Sequence, residues 1–246
     1  MFIVTHAMVL LSGGLDSTTV AAHALEQRDS VRALCIKYGQ THVREVESAR
    51  AVAARLDIPI DVIDASFYGE LAWNSSIVGG EAGAIPRGRD QAAMSVDIPS
   101  TYVPLRNTFF VTLAAAALES RMLALIERDG VDPAILRPAI YVGANAIDYS
   151  GYPDCRPEFY DALVEVIRLG SKLGSQYGVG MRIEAPIIRM SKADIVRHGV
   201  ALGAPLELTW SCYIGSDRPC GSCDSCLLRA AGFAEAGLLD PALVTA

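Results

Sequence analysis

The sequence predicts an α/β protein: a Rossmann-like, doubly wound parallel sheet with a small C-terminal metal-binding appendage. Three observations predict it. Short, nearly continuous apolar runs alternate with longer amphipathic stretches, as buried parallel strands joined by helical crossovers require. The first apolar run ends in the pair Gly13-Gly14, with a helical pattern directly behind it. Four of the six cysteines crowd together at Cys212, Cys220, Cys223 and Cys226.

Taken in order, Ala7 to Leu11 is strand one and Asp16 to Arg28 the helix after it. Val31 to Lys37 is strand two, leading to a helix from about Thr41 to Leu56, and Ile60 to Ile63 is strand three. The stretch from Phe67 to Pro104 breaks the pattern with Gly79-Gly80, Gly83, Pro86, Gly88 and Pro99. A loop that long is either a functional lid or substrate flap, or a disordered surface excursion. Asn107 to Glu127 is a long helix rich in Ala and Leu. Ile140 to Gly143 and Met181 to Pro186 are further strands, with a helix from about Pro157 to Leu173 between them. Lys192 starts another helix, and one more runs from about Cys226 to Ala236. The main domain is expected over residues 1–205 and the four-cysteine region over 206–246.

The bulk properties restrict function. Of 246 residues, 51% are hydrophobic and 20% charged, which supports a sizeable core and excludes a disordered chain. The net charge of -7 argues against broad nucleic-acid binding but allows a local basic pocket for a small anion. Met1 to His6 lacks a basic n-region, and the apolar run Ala7 to Leu11 is too short to span a bilayer. A cytoplasmic protein with no membrane partner is expected.

Strand, glycine pair and helix together suit a phosphate. Gly13 and Gly14 let backbone amides approach a ligand, and the helix behind them offers oriented N–H groups and partial positive charge. Ser17, Thr18 and Thr19 add hydroxyl donors; Asp16 either helps hold Mg²⁺ or caps the helix. The binding segment is Leu11, Ser12, Gly13, Gly14, Leu15, Asp16, Ser17, Thr18, Thr19, Val20 and Ala21. A plain glycine-rich turn is the competing reading. The segment is neither a Walker loop nor the G-x-G-x-x-G fingerprint.

The cysteine spacing, C-x7-C-x2-C-x2-C, points to a closed structural Zn²⁺ site, with two-residue gaps forming tight knuckles. A redox C-x-x-C pair would leave two cysteines unexplained, and an iron–sulfur cluster also takes four thiolates. Cys35 reads as a small buried hydrophobe.

SGGLDST, residues 12–18, resembles the pyrophosphatase-loop enzymes, whose fold is adenine nucleotide alpha hydrolase-like and which cleave ATP between the α and β phosphates. Three further stretches narrow the resemblance. They are Lys37-Tyr38-Gly39-Gln40-Thr41-His42-x-x-Glu45, the segment from Gly143 through DYSGYPDCRPEF to Phe159, and Leu208 to Arg229 with its cysteines. With the loop, they are similar to the 7-cyano-7-deazaguanine synthase family from about Ala7 to Gly237.

That resemblance implies a ligase that uses the same adenylating chemistry twice, first on a carboxylate and then on the amide made from it. The acid of 7-carboxy-7-deazaguanine takes AMP from ATP, ammonia displaces AMP to give the amide, and a second ATP activates the amide oxygen to leave a nitrile. The product, 7-cyano-7-deazaguanine (preQ0), leads toward queuosine. It further implies ATP, Mg²⁺ and Zn²⁺, free ammonia and a homodimer. Asp16, Ser17, Arg106 and Lys192 are the catalytic candidates, with Arg106-Asn107 and Lys192 at helix starts where they could reach phosphates. Tyr149 and Tyr152 could stack on the deazapurine, Asp154 (with Asp148) could accept its N–H groups, and Arg156 could pair with the carboxylate. The competing reading makes this segment a rigid turn before Pro157. His42 reads either as closing on the nucleotide or as a packing residue, and Cys155 reads as a turn-packing thiol. Two departures from the family pattern are Leu105, where Gly is expected, and a longer stretch from about Arg121 to Pro138. The rival functions are another pyrophosphatase-loop enzyme, such as a tRNA thiolase, and a zinc-dependent binding module.

Overall fold

Strands Val4–Leu10 (β1), Ser30–Lys37 (β2), Ile60–Asp64 (β3), Leu136–Tyr141 (β4) and Arg182–Glu184 (β5) pair in parallel, in the order β3-β2-β1-β4-β5. The structure is a computed structural model and describes residues 3–40, 44–78, 84–89, 98–145, 152–215 and 217–244. Pairing runs Val9↔Ala33 between β1 and β2 and Met8↔Ile140 between β1 and β4. The chain therefore winds outward from β1 in one direction, then restarts on its other side, as a doubly wound sheet does.

The helices are Leu15–Gln27 (α1), Arg44–Arg55 (α2), Phe67–Glu70 (α3), Arg106–Glu127 (α4), Pro157–Gly170 (α5), Lys172–Tyr177 (α6), Lys192–Ala201 (α7), Asp224–Ala236 (α8) and Pro241–Val244 (α9). Alternation along the strands divides them between two faces. Met8, Leu34 and Ile140 pack under Val111 and Leu118 of α4 and Leu163 of α5. Ala7, Val9, Cys35 and Tyr141 pack under Val20 of α1, Val52 of α2 and Ile195 of α7. Helix α4 is long and apolar enough to cross a membrane, with a hydropathy of 1.7. The sequence reading found no such span; here the helix seats Val111, Ala114, Leu118 and Met122 on the sheet, as a core helix does.

Three expectations are refined. Strand β4 starts at Leu136 rather than Ile140, because Val4 already pairs there. The helix expected to run to Leu173 stops at Gly170; Ser171 Oγ accepts from Gly174 N–H (3.0 Å) and starts α6. A Cβ on Gly174 would lie 2.2 Å from Arg168 O, so this corner needs glycine. The stretch from Phe67 to Pro104 contains α3 and a 3-10 turn at Ser76–Val78. Tyr68 stacks on Phe109 of α4 with ring centres 4.3 Å apart. Residues 84–89 reach the cysteine region: Gly88 N–H donates to Ser222 O (2.8 Å), and Arg89 pairs with the buried Asp224.

The C-terminal region is fastened to the sheet domain. Leu206 and Phe233 share a small core with Leu15 and Ala22 of α1 and Val196 of α7. Arg229 ties the end of the chain to it, donating to Asp240 (2.6 and 2.8 Å) and to Thr209 Oγ1 (2.8 Å) while itself buried.

Candidate active site

A cavity of about 310 Å³ lies beyond the carboxyl ends of β1, β2 and β4. That is where an open parallel sheet receives ligands, at the point where strand order reverses. Its base is the loop after β1. Gly13 adopts φ +82°, and a Cβ there would lie 2.5 Å from Ala49 N and 2.6 Å from Glu45 O. Glycine is required twice, for the angle and for the close approach of α2. Helix α1 begins at Gly14 without a side-chain cap, so its first amides face the cavity mouth as an anion site.

The loop's hydroxyls are held in place. Ser12 N–H donates to Ser17 Oγ (3.2 Å), the Ser12 and Ser17 hydroxyls lie 3.0 Å apart, and Ser17 Oγ donates to Gly14 O (3.2 Å). Trp210 N–H donates to Gly13 O (2.9 Å), bringing the C-terminal region onto the loop. Gly143 presses against the start of α1; a Cβ there would lie 3.1 Å from Ser17 N.

Three cations from distant elements line this cavity among the described residues: Lys192, Arg106 and Arg229, the last already bound to Asp240. Lys192, first residue of α7, donates to both Asp16 oxygens (3.0 and 2.8 Å). Its helix is fixed by a capping box between Ser191 and Asp194. Helix α8 lies close over the lysine stem, since a Cβ on Gly232 would be 2.4 Å from Lys192 Cγ. Arg106, first residue of α4, sits 5.8 Å from the Tyr38 ring centre and 6.0 Å from that of Tyr152. Burial pushes the Tyr38 phenol up to about 12.

The predicted site residues divide. Leu11, Ser12, Gly14, Leu15, Asp16, Ser17, Arg106, Lys192 and Tyr152 line the cavity. Thr18, Thr19, Val20 and Ala21 are fully buried behind it. Thr19 Oγ1 donates to Leu15 O (3.0 Å), and Val20 and Ala21 belong to the core. Asp16 caps nothing; its carboxylate holds Lys192. Tyr152 is buried, its hydroxyl 2.7 Å from Thr101 Oγ1. Asp154 is buried off the cavity wall, accepting from Asn107 N–H (3.0 Å) and so anchoring the start of α4 beside Arg106. Arg156 is exposed ahead of α5 and does not line the cavity. Tyr149, Asp148 and His42 lie outside the described residues. Cys155 accepts from Asn107 Nδ2 (3.3 Å), and burial pushes its thiol up to about 11, which suits packing rather than nucleophilic attack.

Other wall residues carried no role in the sequence reading: Glu45, Gln40, Asn145, Tyr213 and Arg229. Glu45 ends the Lys37-to-Glu45 stretch that carries part of the family resemblance, but nothing local marks it as facing a cavity. Burial pushes its carboxyl up to about 7, against the opposing pull of Arg106 and of Gln40.

The four clustered cysteines meet as well. Their Sγ atoms all lie within 4.8 Å of one another, and Cys220 Sγ is 3.9 Å from Cys226 Sγ. Four thiolates about 2.3 Å from one ion would stand about 3.8 Å apart, so the set fits a tetrahedral metal. Backbone N–H groups of Ile214 (3.3 Å) and Cys223 (3.3 Å) donate to Cys212 Sγ and Cys220 Sγ, an arrangement that favours thiolates.

Residues 6–237 match the family described as queuosine biosynthesis protein QueC. The chain belongs to the QueC family. Among curated relatives, the 7-cyano-7-deazaguanine synthase of Thermoplasma acidophilum is 45% identical, covering 96% of this chain and 90% of the relative. The enzyme of the same name from Kineococcus radiotolerans is 46% identical, covering 96% of each. A solved NMN synthetase from Francisella tularensis matches at TM-score 0.41 and 13% identity, covering 97% of this chain and 79% of that one. For a QueC-family chain, the phosphate loop and the cysteine region now have a common setting: Ser12 and Ser17 of the loop and Ser211, Tyr213 and Ser225, which flank the cysteines, line one cavity.

Proposed function

We propose that this QueC-family chain converts 7-carboxy-7-deazaguanine and ammonia to 7-cyano-7-deazaguanine at the expense of two ATP. The observation that carries this reading is the convergence on one cavity of the SGGLDS loop, Arg106, Lys192 and a wall of aromatic rings. The substrate carboxylate attacks the α-phosphorus, and pyrophosphate leaves. Ammonia then displaces AMP to give the amide. The amide oxygen attacks a second ATP, and AMP departs with that oxygen to leave the nitrile.

The first-turn amides of α1 and the hydroxyls of Ser12 and Ser17 hold the departing pyrophosphate. Arg106 and Lys192 offset the charge that develops as it leaves, an effect of about 10²–10³ in rate for each such donor. Asp16 keeps Lys192 aimed at the loop. Both its oxygens are occupied by Lys192, so Asp16 does not fit as a direct Mg²⁺ ligand in this arrangement; bound Mg²⁺ would supply neutralisation of phosphate charge. Tyr152, with Tyr38 and Tyr213, forms the apolar wall against the planar heterocycle. Cys212, Cys220, Cys223 and Cys226 hold a structural Zn²⁺, which supplies cross-linking and no reactive position. The reaction needs only cytoplasmic metabolites. A homodimer fits the exposed Phe67, Leu71 and Trp73 (58%, 69% and 66% accessible), and light scattering measures it directly.

The test is an assay of purified protein with ATP, ammonium and 7-carboxy-7-deazaguanine. Two AMP and two pyrophosphate per nitrile are expected. AMP formed only when tRNA is added would point to a thiolase instead, and no AMP under any condition to a binding module.

A further inference from the structure

Nitrile formation strips nitrogen of its protons, and the acceptor must stand inside the cavity. When ammonia bonds to the acyl carbon, its nitrogen sheds one proton before AMP leaves with the carboxylate oxygen. In the second half the amide nitrogen loses both of its protons. One goes as the adenylated imidate forms, the other as the C–O bond breaks and AMP takes the oxygen.

Two carboxylates line the described cavity, Asp16 and Glu45. Asp16 is bound to Lys192 through both oxygens. Glu45 lies on the first turn of α2 that packs against Gly13, which places it beside the phosphate loop. Gln40 holds it there: Gln40 Oε1 accepts from Tyr38 N–H (2.8 Å), which orients its amide nitrogen toward Glu45 Oε2 (3.4 Å). We infer that Glu45 is the group that accepts these protons from the reacting nitrogen, returning each to water between transfers. The inference rests on the nitrile-forming reaction proposed above.

The electrostatics agree with the geometry. Burial raises the carboxyl to about 7, matching its affinity for a proton to neutral conditions. The charged and titratable groups around it are Arg106 from α4, Cys35 from β2 and Tyr38 just after β2. Arg106 opposes the rise, while the Cys35 thiol, pushed up to about 12 by burial, and the Tyr38 phenol stay neutral.

The test separates phosphate chemistry from proton removal. Wild type and Glu45→Gln are mixed with ATP and the acid in a single turnover, and separately with ATP and the amide, 7-amido-7-deazaguanine. Glu45→Gln is expected to give a pyrophosphate burst from the acid, while nitrile formation from the amide falls about 100-fold or more, the usual worth of a general base. Wild-type nitrile formation should decline on the acid side of pH 7 along a one-proton limb. Glu45→Gln lacks that limb, and Glu45→Asp recovers it at a lower pH. If Glu45→Gln makes nitrile at a rate close to wild type with the limb intact, the inference fails. Should Glu45→Gln give no burst at all, Glu45→Asp decides, and an unshifted limb there overturns the inference. Wild type that releases no pyrophosphate with the acid would instead overturn the proposed function.

Discussion

Leu105 shows how one residue can keep a glycine's geometry without being glycine. It sits at φ 53°, ψ 25°, in the left-handed region, immediately before α4 and Arg106. The turn expected of glycine is therefore retained, with a side chain that is 62% accessible. A left-handed non-glycine residue costs about 1–2 kcal/mol, and little burial compensates here. Leu105→Gly should accordingly stabilise the fold by about 0.5–1 kcal/mol after the entropy of glycine is charged against it, read as a higher urea midpoint at unchanged slope. Glu45 gives a second residue-scale prediction. Its folded-state carboxyl titrates near 7, above the ordinary 4.5, so the folded chain holds more protons than the unfolded one between those values. Stability from this group is fully present below pH 4.5 and lost as pH rises through 7. Glu45→Gln should thus raise the melting temperature of the ligand-free protein at pH 8 and leave it nearly unchanged at pH 4.5. Equal shifts at both pH values would contradict the buried carboxyl.

At the scale of elements, the phosphate loop works because two helices and a strand end close on it. Gly13 touches the backbone of α2, Gly143 touches the start of α1, and Trp210 holds the carbonyl of Gly13. Gly13→Ala would force a Cβ into two backbone atoms that cannot rotate away. It should abolish pyrophosphate release and cost about 2 kcal/mol in denaturant unfolding, the scale of overpacking in a rigid site. The loop, its helix and the parallel strands were legible in the sequence because glycine pairs, apolar runs and helical periodicity are local signals; the order of the strands was not. The break at Ser171 was not, since the helical pattern continues through it. Ser171 Oγ caps the new helix through Gly174 N–H, and the corner is held from a distance by Glu119 of α4, which accepts from Leu173 N–H (2.9 Å). Asp154 and Arg156 were likewise grouped with Tyr152 by sequence proximity. The 3-10 turn at Pro153–Cys155 turns Asp154 toward Asn107 and leaves Arg156 exposed, while Tyr152 remains on the cavity wall.

For the whole molecule, the C-terminal region is both a wall of the cavity and a fastening. Arg229 and Asp240 are 10% and 7% accessible, so removing one partner strands the other charge out of water. Asp240→Asn should destabilise the protein by about 3 kcal/mol. The cysteine cluster is predicted to act at the same scale. Thiol-reactive chelation should release one metal ion per chain, lower the melting temperature and weaken nitrile formation together, because Ser222 and Asp224 also hold the segment around Gly88 and Arg89. Metal content by atomic emission, measured beside activity, checks it.

By itself the sequence determined the doubly wound sheet, the phosphate loop after β1, the metal-binding spacing of the cysteines and the family resemblance that names a chemistry. Each of these is written in neighbouring residues, where backbone geometry and burial periodicity act over a few positions. Only the tertiary structure decided which side chains share the cavity. Lys192 meets Asp16 across 176 positions, Arg106 meets Tyr38 across 68, and Glu45 turns inward because α2 packs on Gly13. Such meetings depend on how helices seat on the two faces of the sheet, and no stretch of chain short enough to read contains both partners.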